Sequence, residues 1–342
     1  MDRHAIVVGA GPCGLMLGYL LGRAGLEVTV FERKEDFSHA TAGDGFSALS
    51  LRVFREVGLV EKLLSLHHNK VERWELYYDG RRHSTRVFSK LARDFPFLLV
   101  IPPVEVLNLL ATEARKFPEF ELRTGARVTQ LLEKGSEVTG VAYRDDEREH
   151  RLRAQIVIGA DGSHSSVRAL AGLSLVHDEA GDRLDVLRAR IASPQRWPEG
   201  VGRTYLRPGA SIVWYPDRDG DSVIIASLPW KGTGMPFDLA AASQILRGAL
   251  PSSAAAHLMK HLPSAAELGC VEFQPNRARS WSRPGLLLLG PAAHASEPFA
   301  TSAMALALRD AVVAANHLAR ALRERARLPG VLARIEAERL PE

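Results

Sequence analysis

The pattern of apolar and polar residues predicts that helix–strand segments alternate with strand-rich segments along the chain. Apolar runs at 5–8 and 28–31 predict two strands, separated by a glycine-rich turn and a helical segment. Apolar positions at helical spacing predict helices over 48–66, where Gly58 interrupts the pattern, and over 104–117. Four further strands are predicted at 120–123, 126–133, 137–143 and 151–158.

Strand signals dominate two other parts of the chain. Asp79-Gly80 lies between two alternating runs, which indicates a hairpin, and residues 176–275 are mostly strand-like with one helix near 239–250. A short apolar strand at 286–289 and a long helix over 302–327 then restore the first pattern. This alternation predicts two domains. A discontinuous nucleotide-binding domain comprises 1–70, 96–175 and 276–342, and a β-sheet substrate domain comprises 71–95 and 176–275.

The opening segment carries a glycine motif between its two strands. The motif consists of Gly9, Gly11 and Gly14, and an acid, Glu32, ends the second strand. Gly9 permits a sharp turn, Gly11 lets the backbone approach a pyrophosphate, and Gly14 lets the helix pack close to the strand. The helix N-terminus presents N–H groups to phosphates, and Glu32 can accept hydrogen bonds from ribose hydroxyls. This order predicts binding of the adenosine half of a dinucleotide.

Composition narrows the class of protein. The 342 residues, with 46% hydrophobic and 25% charged positions, are typical of a soluble globular protein with two lobes. The net charge of +4 is small, and the basic residues of 320–327 alternate with apolar ones, which favours a solvated helix over a nucleic-acid-binding arm. Two cysteines, Cys13 and Cys270, form no disulfide framework and favour the cytoplasm. No run is long enough to span a membrane.

Three separated segments resemble the p-hydroxybenzoate hydroxylase type of FAD-dependent aromatic and polyketide monooxygenase. The first is the glycine motif with Glu32. The second is 156–168, Ile-Val-Ile-Gly-Ala-Asp-Gly-Ser-His-Ser-Ser-Val-Arg, and the third is 286–290 followed by Ala292-Ala293-His294 and Pro298. The resemblance implies an α/β fold with a Rossmann-like FAD-binding domain and an inserted β-sheet substrate domain.

The resemblance also implies FAD as cofactor, NAD(P)H as electron donor and O₂ as co-substrate in hydroxylation of an aromatic or polyketide-like small molecule. The protein is expected to act as a monomer or homodimer. The expected cofactor-binding residues are Gly9, Gly11, Pro12, Cys13, Gly14, Glu32, Arg33, Val128, Asp161, Gly162, Gly290 and Pro291. The expected substrate-lining residues are Phe46, Trp214 and Tyr215, although ordinary sheet packing also explains Trp214 and Tyr215 individually. Pro298 near the flavin ring and His294 are the candidate catalytic residues.

Several positions depart from the family pattern on the ribityl and ring side of the expected cofactor. Pro291 stands where the family has an aspartate, and Ala300–Ala305 lacks the glycines of the family's next turn. Ala42 and Pro102-Pro103 replace further polar positions that face the cofactor in the family. These departures predict a flavin that is weakly held, differently posed or absent.

Alternatives therefore remain at this point. A non-redox cyclase, isomerase or dehydratase on the same fold is the main alternative, and an inactive binding partner is another. His257 and His261 have a spacing that can bind zinc, but no third ligand accompanies them, so no metal site is predicted. His294 is expected to be structural, or an acid or base if the flavin is missing.

Overall fold

Two large β-sheets dominate the structure, a computed structural model of the chain. It describes residues 3–38, 44–146, 148–176, 183–229, 239–262, 269–273, 275–295, 302–324 and 326–340. Within this described part, no helix combines the length and the apolar character needed to cross a membrane.

The first sheet has a parallel centre and an antiparallel extension. Its main path runs β18 (Ser282–Arg283), β19 (Leu286–Leu288), β11 (Arg148–Gly159), β1 (Arg3–Val8), β2 (Val28–Phe31) and β8 (Phe120–Arg123). The extension is formed by β10 (Glu137–Asp145), which pairs with β11, and β9 (Arg127–Lys134). Strands β19, β11, β1, β2 and β8 are mutually parallel, which confirms the Rossmann-like arrangement that the resemblance implied.

Helices pack on this sheet because their apolar faces need a partner. They are α1 (Pro12–Arg23), α2 (Ala48–Glu56), α3 (Val60–Leu64), α4 (Pro103–Ala114), α5 (Ser166–Leu170), α8 (Ser302–Arg323) and α9 (Pro329–Arg339). Helix α1 is buried along most of its length and contacts both α4 and α8. The single helix expected over 48–66 is two helices, because Gly58 adopts a φ of 82° that ends the first one.

The second sheet has seven strands within the described ranges and is antiparallel except where β13 meets β5. Its order is β16 (Gly269–Phe273), β12 (Leu184–Ala192), β15 (Asp221–Pro229), β14 (Ala210–Pro216), β13 (Val201–Arg207), β5 (Arg73–Tyr78) and β6 (Arg81–Val87). The hairpin expected at Asp79-Gly80 joins β5 and β6, and both turn residues have positive φ. Helices α6 (Leu239–Ala249) and α7 (Ser252–His261) cover one face; the sequence pattern indicated only the first of them.

Two small sheets accompany the two large ones among the described residues. Strands β3 (Gly45–Phe46), β7 (Leu98–Val100) and β4 (Asn69–Val71) form a three-stranded sheet, and β3 contacts α8. Strand β17 (Asn276–Arg277) pairs with β20 (His294–Ala295). The second face of the seven-stranded sheet packs on the three-stranded sheet through Val213, Tyr215 and Val223. This junction brings the inserted sheet against the nucleotide-binding part.

Candidate cofactor and substrate site

The glycine loop after β1 is fixed by close backbone contacts. Gly9 has a φ of 104°, and a Cβ at this position would overlap the carbonyl oxygen of Ala160. A Cβ on Gly14 would overlap the carbonyl oxygen of Gly9. These contacts hold the loop, the start of α1 and the end of β11 together, so both positions need glycine.

Gly11 is different, because a Cβ added at this position would face open space. It has a φ of −71°, which any residue adopts, and no atom lies within 4 Å of a Cβ built there. Helix α1 begins at Pro12, and no described side chain caps its N-terminus. The first turn therefore presents uncapped N–H groups and the positive end of the helix dipole to that space, an arrangement that suits a pyrophosphate.

Glu32 lies directly beside this loop. Its Oε2 accepts a hydrogen bond from the Ala10 amide at 3.2 Å and its Oε1 accepts one from the Lys34 amide at 3.0 Å. A carboxylate has about four acceptor positions, so further ones remain for ribose hydroxyls. Arg33 is exposed beside it, whereas Val128 on β9 is buried in the main core.

Asp161 orders the turn between β11 and α5. Its Oδ2 accepts hydrogen bonds from the Ser166 hydroxyl at 2.8 Å and the Val167 amide at 3.1 Å, and Ser165 donates to Oδ1. Gly162, with a φ of 89°, follows in the same turn. The structure thus gives the Asp161 carboxylate a role in holding the N-terminus of α5.

Arg168 joins the second motif to the third. Its guanidinium donates to the carbonyl oxygen of Ser163 at 2.7 Å and to that of Ala292 at 2.9 Å. Gly290 contacts the first motif, because a Cβ placed on it would lie 3.3 Å from the Cβ of Cys13. All three segments therefore meet at one place in the fold.

Asp310 on α8 is buried and binds residues of the third segment. It has no solvent exposure and accepts hydrogen bonds from the Gly290 amide at 2.8 Å, from His294 Nε2 at 2.6 Å and from Arg339 Nε at 2.7 Å. Burial and the Asp310 charge raise the pKa of the Cys13 thiol well above its usual value, so Cys13 is a neutral packing residue there. The sequence pattern gave no sign that Asp310 and Arg339 form a buried pair.

The remaining predicted site residues of the third segment lie in different surroundings. His294 is partly buried, stacks on Trp281 with 5.0 Å between ring centroids, and lines a cavity of about 420 Å³ together with Arg277. Pro291 is the second residue of a short 3₁₀ turn, Gly290–Ala292, and offers neither an N–H nor a side-chain acceptor. Pro298, Ala42 and residues 300–301 lie outside the described residues.

The three predicted substrate-lining residues do not come together. Trp214 is fully buried on the face that α6 and α7 cover; it stacks on Trp197 and donates to the Ser222 hydroxyl at 2.8 Å. Phe46 is fully buried in the main core against Phe54. Ordinary packing therefore accounts for both side chains. Alternation along β14 turns Tyr215 to the opposite face of the sheet, towards the nucleotide-binding part.

A polar cluster that the sequence did not indicate surrounds Tyr215. The Tyr215 hydroxyl donates to Asp44 Oδ1 at 2.7 Å, and Arg188 Nη2 lies 2.6 Å from Asp44 Oδ2. Asp44 precedes β3, so this cluster links the seven-stranded sheet to the three-stranded sheet through side chains. The only available signal was the pair of arginines, Arg188 and Arg190, within the apolar run of β12.

The comparison with known families decides which cofactor this arrangement serves. Residues 2–342 match the family described as FAD binding domain. The chain belongs to this FAD-binding family.

Individual relatives and one solved structure are similar to this chain. The 6-methylpretetramide 4-monooxygenase of Streptomyces rimosus is 30% identical over 339 residues, which cover 98% of this chain and 80% of that protein. A 3-(3-hydroxy-phenyl)propionate/3-hydroxycinnamic acid hydroxylase of Mycobacterium sp. (strain JLS) is 30% identical over 217 residues, covering 62% of this chain and only 37% of that hydroxylase. PqsL, described as a probable FAD-dependent monooxygenase from Pseudomonas aeruginosa, has a TM-score of 0.81 at 22% identity over 100% of this chain and 92% of its own. That structural likeness shows the fold.

The residues present fit the adenosine half of FAD. The open space at Gly11, the uncapped start of α1 and the spare acceptors of Glu32 are features that a dinucleotide of this family needs. Where the resemblance places the ribityl chain, Pro291 offers neither an N–H nor a side-chain acceptor, and the nearby buried Asp310 is already engaged by three donors. The two halves therefore differ in how much the described side chains contribute.

Proposed function

We propose that this protein is an FAD-dependent monooxygenase that hydroxylates an aromatic or polyketide-like small molecule. The observation that carries the proposal is the nearly full-length similarity to a monooxygenase that itself acts on 6-methylpretetramide. The open, uncapped glycine loop supports the cofactor assignment. The named relatives are monooxygenases and hydroxylases, and they give no support to a non-redox alternative.

The chain's own residues bind and orient rather than react in this proposal. Gly11 and the first turn of α1 receive the pyrophosphate, and Glu32 receives the adenosine ribose. Asp161 and Arg168 keep the second and third motifs in place around them. When bound, FAD supplies the redox chemistry with O₂, and the protein supplies binding, orientation and exclusion of water.

The finer assignments are part of the same proposal. NAD(P)H is the expected electron donor, the cytoplasm the expected compartment, and a monomer or homodimer the expected state. Cys13 is free and buried, which is compatible with a reducing compartment. The substrate surface is proposed to lie on the Tyr215 face of the seven-stranded sheet, with Pro298 near the flavin ring.

A direct experiment tests the proposal. The purified chain is expected to bind FAD, with absorbance bands between about 350 and 500 nm, and to oxidise NADH or NADPH when an aromatic hydroxy-ketone is added. With ¹⁸O₂, mass spectrometry is expected to find one labelled oxygen atom in the product. A protein that stays colourless with excess FAD, or that converts substrates without NAD(P)H and O₂, contradicts the proposal and supports a non-redox enzyme.

A further inference from the structure

The face of the seven-stranded sheet that carries Tyr215 also carries Arg188 and Ser227. Ser227 on β15 pairs with Val186 on β12, and Tyr215 on β14 pairs with Val223 on β15. Paired residues point to the same side of a sheet, and residues two apart on one strand share a face. Register therefore places Arg188, Ser227 and Tyr215 on one surface, turned towards the nucleotide-binding part.

Two polar atoms on this surface are buried and lack a hydrogen-bond partner among the described residues. They are Ser227 Oγ and Arg188 Nε. Ser227 is only 6% exposed, so bulk water does not satisfy its hydroxyl. Buried polar atoms in native proteins are nearly always paired, and an unpaired one is a candidate for contact with a ligand or a bound water.

Arg188 is held in a single position by its other end. Its Nη2 binds Asp44 Oδ2 at 2.6 Å, and the Tyr215 hydroxyl occupies Asp44 Oδ1 at 2.7 Å. Burial acts to lower the pKa of Arg188, but the Asp44 carboxylate outweighs it and the pKa is raised, so the guanidinium stays charged. Burial, with Asp44, raises the pKa of Tyr215 well above its usual value, so the phenol remains a donor. Arg188 Nε is thus a fixed donor.

We propose that Arg188 Nε and Ser227 Oγ bind one oxygen of the substrate, and that this oxygen is a neutral acceptor such as an aromatic ketone. Asp44 already balances the Arg188 charge, so a carboxylate ligand gains little attraction and meets the Asp44 charge nearby. The adjoining Ile225 lies on the same face and is only partly buried, so it offers an apolar contact for an aromatic ring. This inference rests on the proposed function, because it names the substrate class of the same site.

A pair of serine variants separates a ligand contact from a structural role. Ser227→Ala removes an unpaired hydroxyl, so it is expected to raise Tm by roughly 1–2 °C without ligand and to weaken ketone binding about fivefold. The matched control is Ser222→Ala on the same strand but the opposite face. Ser222 accepts from Trp214 Nε1 at 2.8 Å, so its loss is expected to lower Tm and leave ketone binding unchanged.

Titration calorimetry with the full chain, without NAD(P)H, compares two probes of the same shape. 1-Hydroxy-2-acetonaphthone is expected to bind at least about tenfold more tightly than 1-hydroxy-2-naphthoate. Arg188→Lys keeps a positive charge beside Asp44 but removes the Nε donor, and is expected to weaken ketone binding about fivefold. Arg190→Lys is the control, because Arg190 pairs with Asp217 and Asp221 instead.

Failure of this inference is distinguishable from failure of the proposed function. No ketone binding by the unchanged chain at about 1 mM, tighter binding of the carboxylate, or full binding by Ser227→Ala overturns the inference. If the ketone binds as expected but the protein shows no NAD(P)H-dependent oxygenation, only the proposed function is contradicted. Oxygenation together with binding that is indifferent to Ser227 and Arg188 contradicts only the inference.

Discussion

The two halves of the proposed FAD site are built by different physical means. The adenosine half depends on backbone contacts, because Gly9 and Gly14 leave no room for a Cβ and Gly11 opens onto free space. The ribityl half depends on the buried carboxylate of Asp310, which gathers the Gly290 amide, His294 and Arg339. Gly9 and Gly14 therefore tolerate no added Cβ, whereas the Asp310 cluster tolerates no loss of its negative charge.

Replacing Asp310 is expected to have the largest effect. Asp310→Asn keeps the shape but removes the negative charge that pairs with the nearly fully buried Arg339, which costs about 3–5 kcal/mol of unfolding free energy. Urea denaturation measures this loss. Asp94→Asn is the control: Arg52 holds the pKa of that carboxyl well below its usual range, but the pair is partly exposed and its loss should be far smaller. Equal losses in both variants contradict an electrostatic centre at Asp310.

Gly14→Ala tests the adenosine half and ranks next. Its Cβ meets the Gly9 carbonyl oxygen, so the loop or the start of α1 must move, at about 1–3 kcal/mol, and FAD binding is expected to fall sharply. Gly22→Ala in the same helix is the control. The atom nearest to the new Cβ would be Phe120 Cβ at 3.2 Å, so a small shift of that side chain suffices. Denaturation and FAD titration of both variants decide the point; a Gly14→Ala protein that matches Gly22→Ala in both measurements refutes the steric account.

The same contrast explains how much of the site the sequence could predict. Gly9, Gly11, Gly14 and Glu32 lie within one βαβ unit, so their spacing determines their geometry. The parallel strands could be predicted for the same reason, since each is an apolar run beside a helix. The domain boundaries and the roles of Pro298 and the ring-side turn stay predictions.

Partners distant in sequence could not be predicted. Asp310 and Arg339 meet only because α8 and α9 pack together, and Asp44 meets Arg188 across 144 positions. Trp214 and Tyr215 are adjacent and both aromatic, so the sequence could not say which one faces the nucleotide-binding part. That choice depends on strand register, which places Trp214 under α6 and α7.

Gly11→Ala separates cofactor binding from folding, with a smaller expected effect. Its Cβ meets no protein atom, so stability should be unchanged, while the methyl group intrudes on the pyrophosphate and weakens FAD binding about tenfold, or about 1.4 kcal/mol. Gly330→Ala is the matched control, since its Cβ also faces open space but lies in α9. Fluorescence titration of FAD gives both affinities. Unchanged affinity in Gly11→Ala means that the cofactor does not approach this loop.

Pro291→Asp is expected to have the smallest effect and tests the ribityl half directly. Restoring the acid that the family has at this position adds one side-chain acceptor, worth about 1 kcal/mol, so FAD should bind about fivefold more tightly. Pro291 is partly buried at the start of its 3₁₀ turn, a position that accepts aspartate without loss of a backbone hydrogen bond. Pro291→Ala controls for removal of the proline ring. If only Pro291→Asp binds FAD more tightly, the ribityl chain passes Pro291. If Pro291→Asp and Pro291→Ala bind FAD equally, the flavin lies elsewhere, and this half of the site is distinct from the adenosine half.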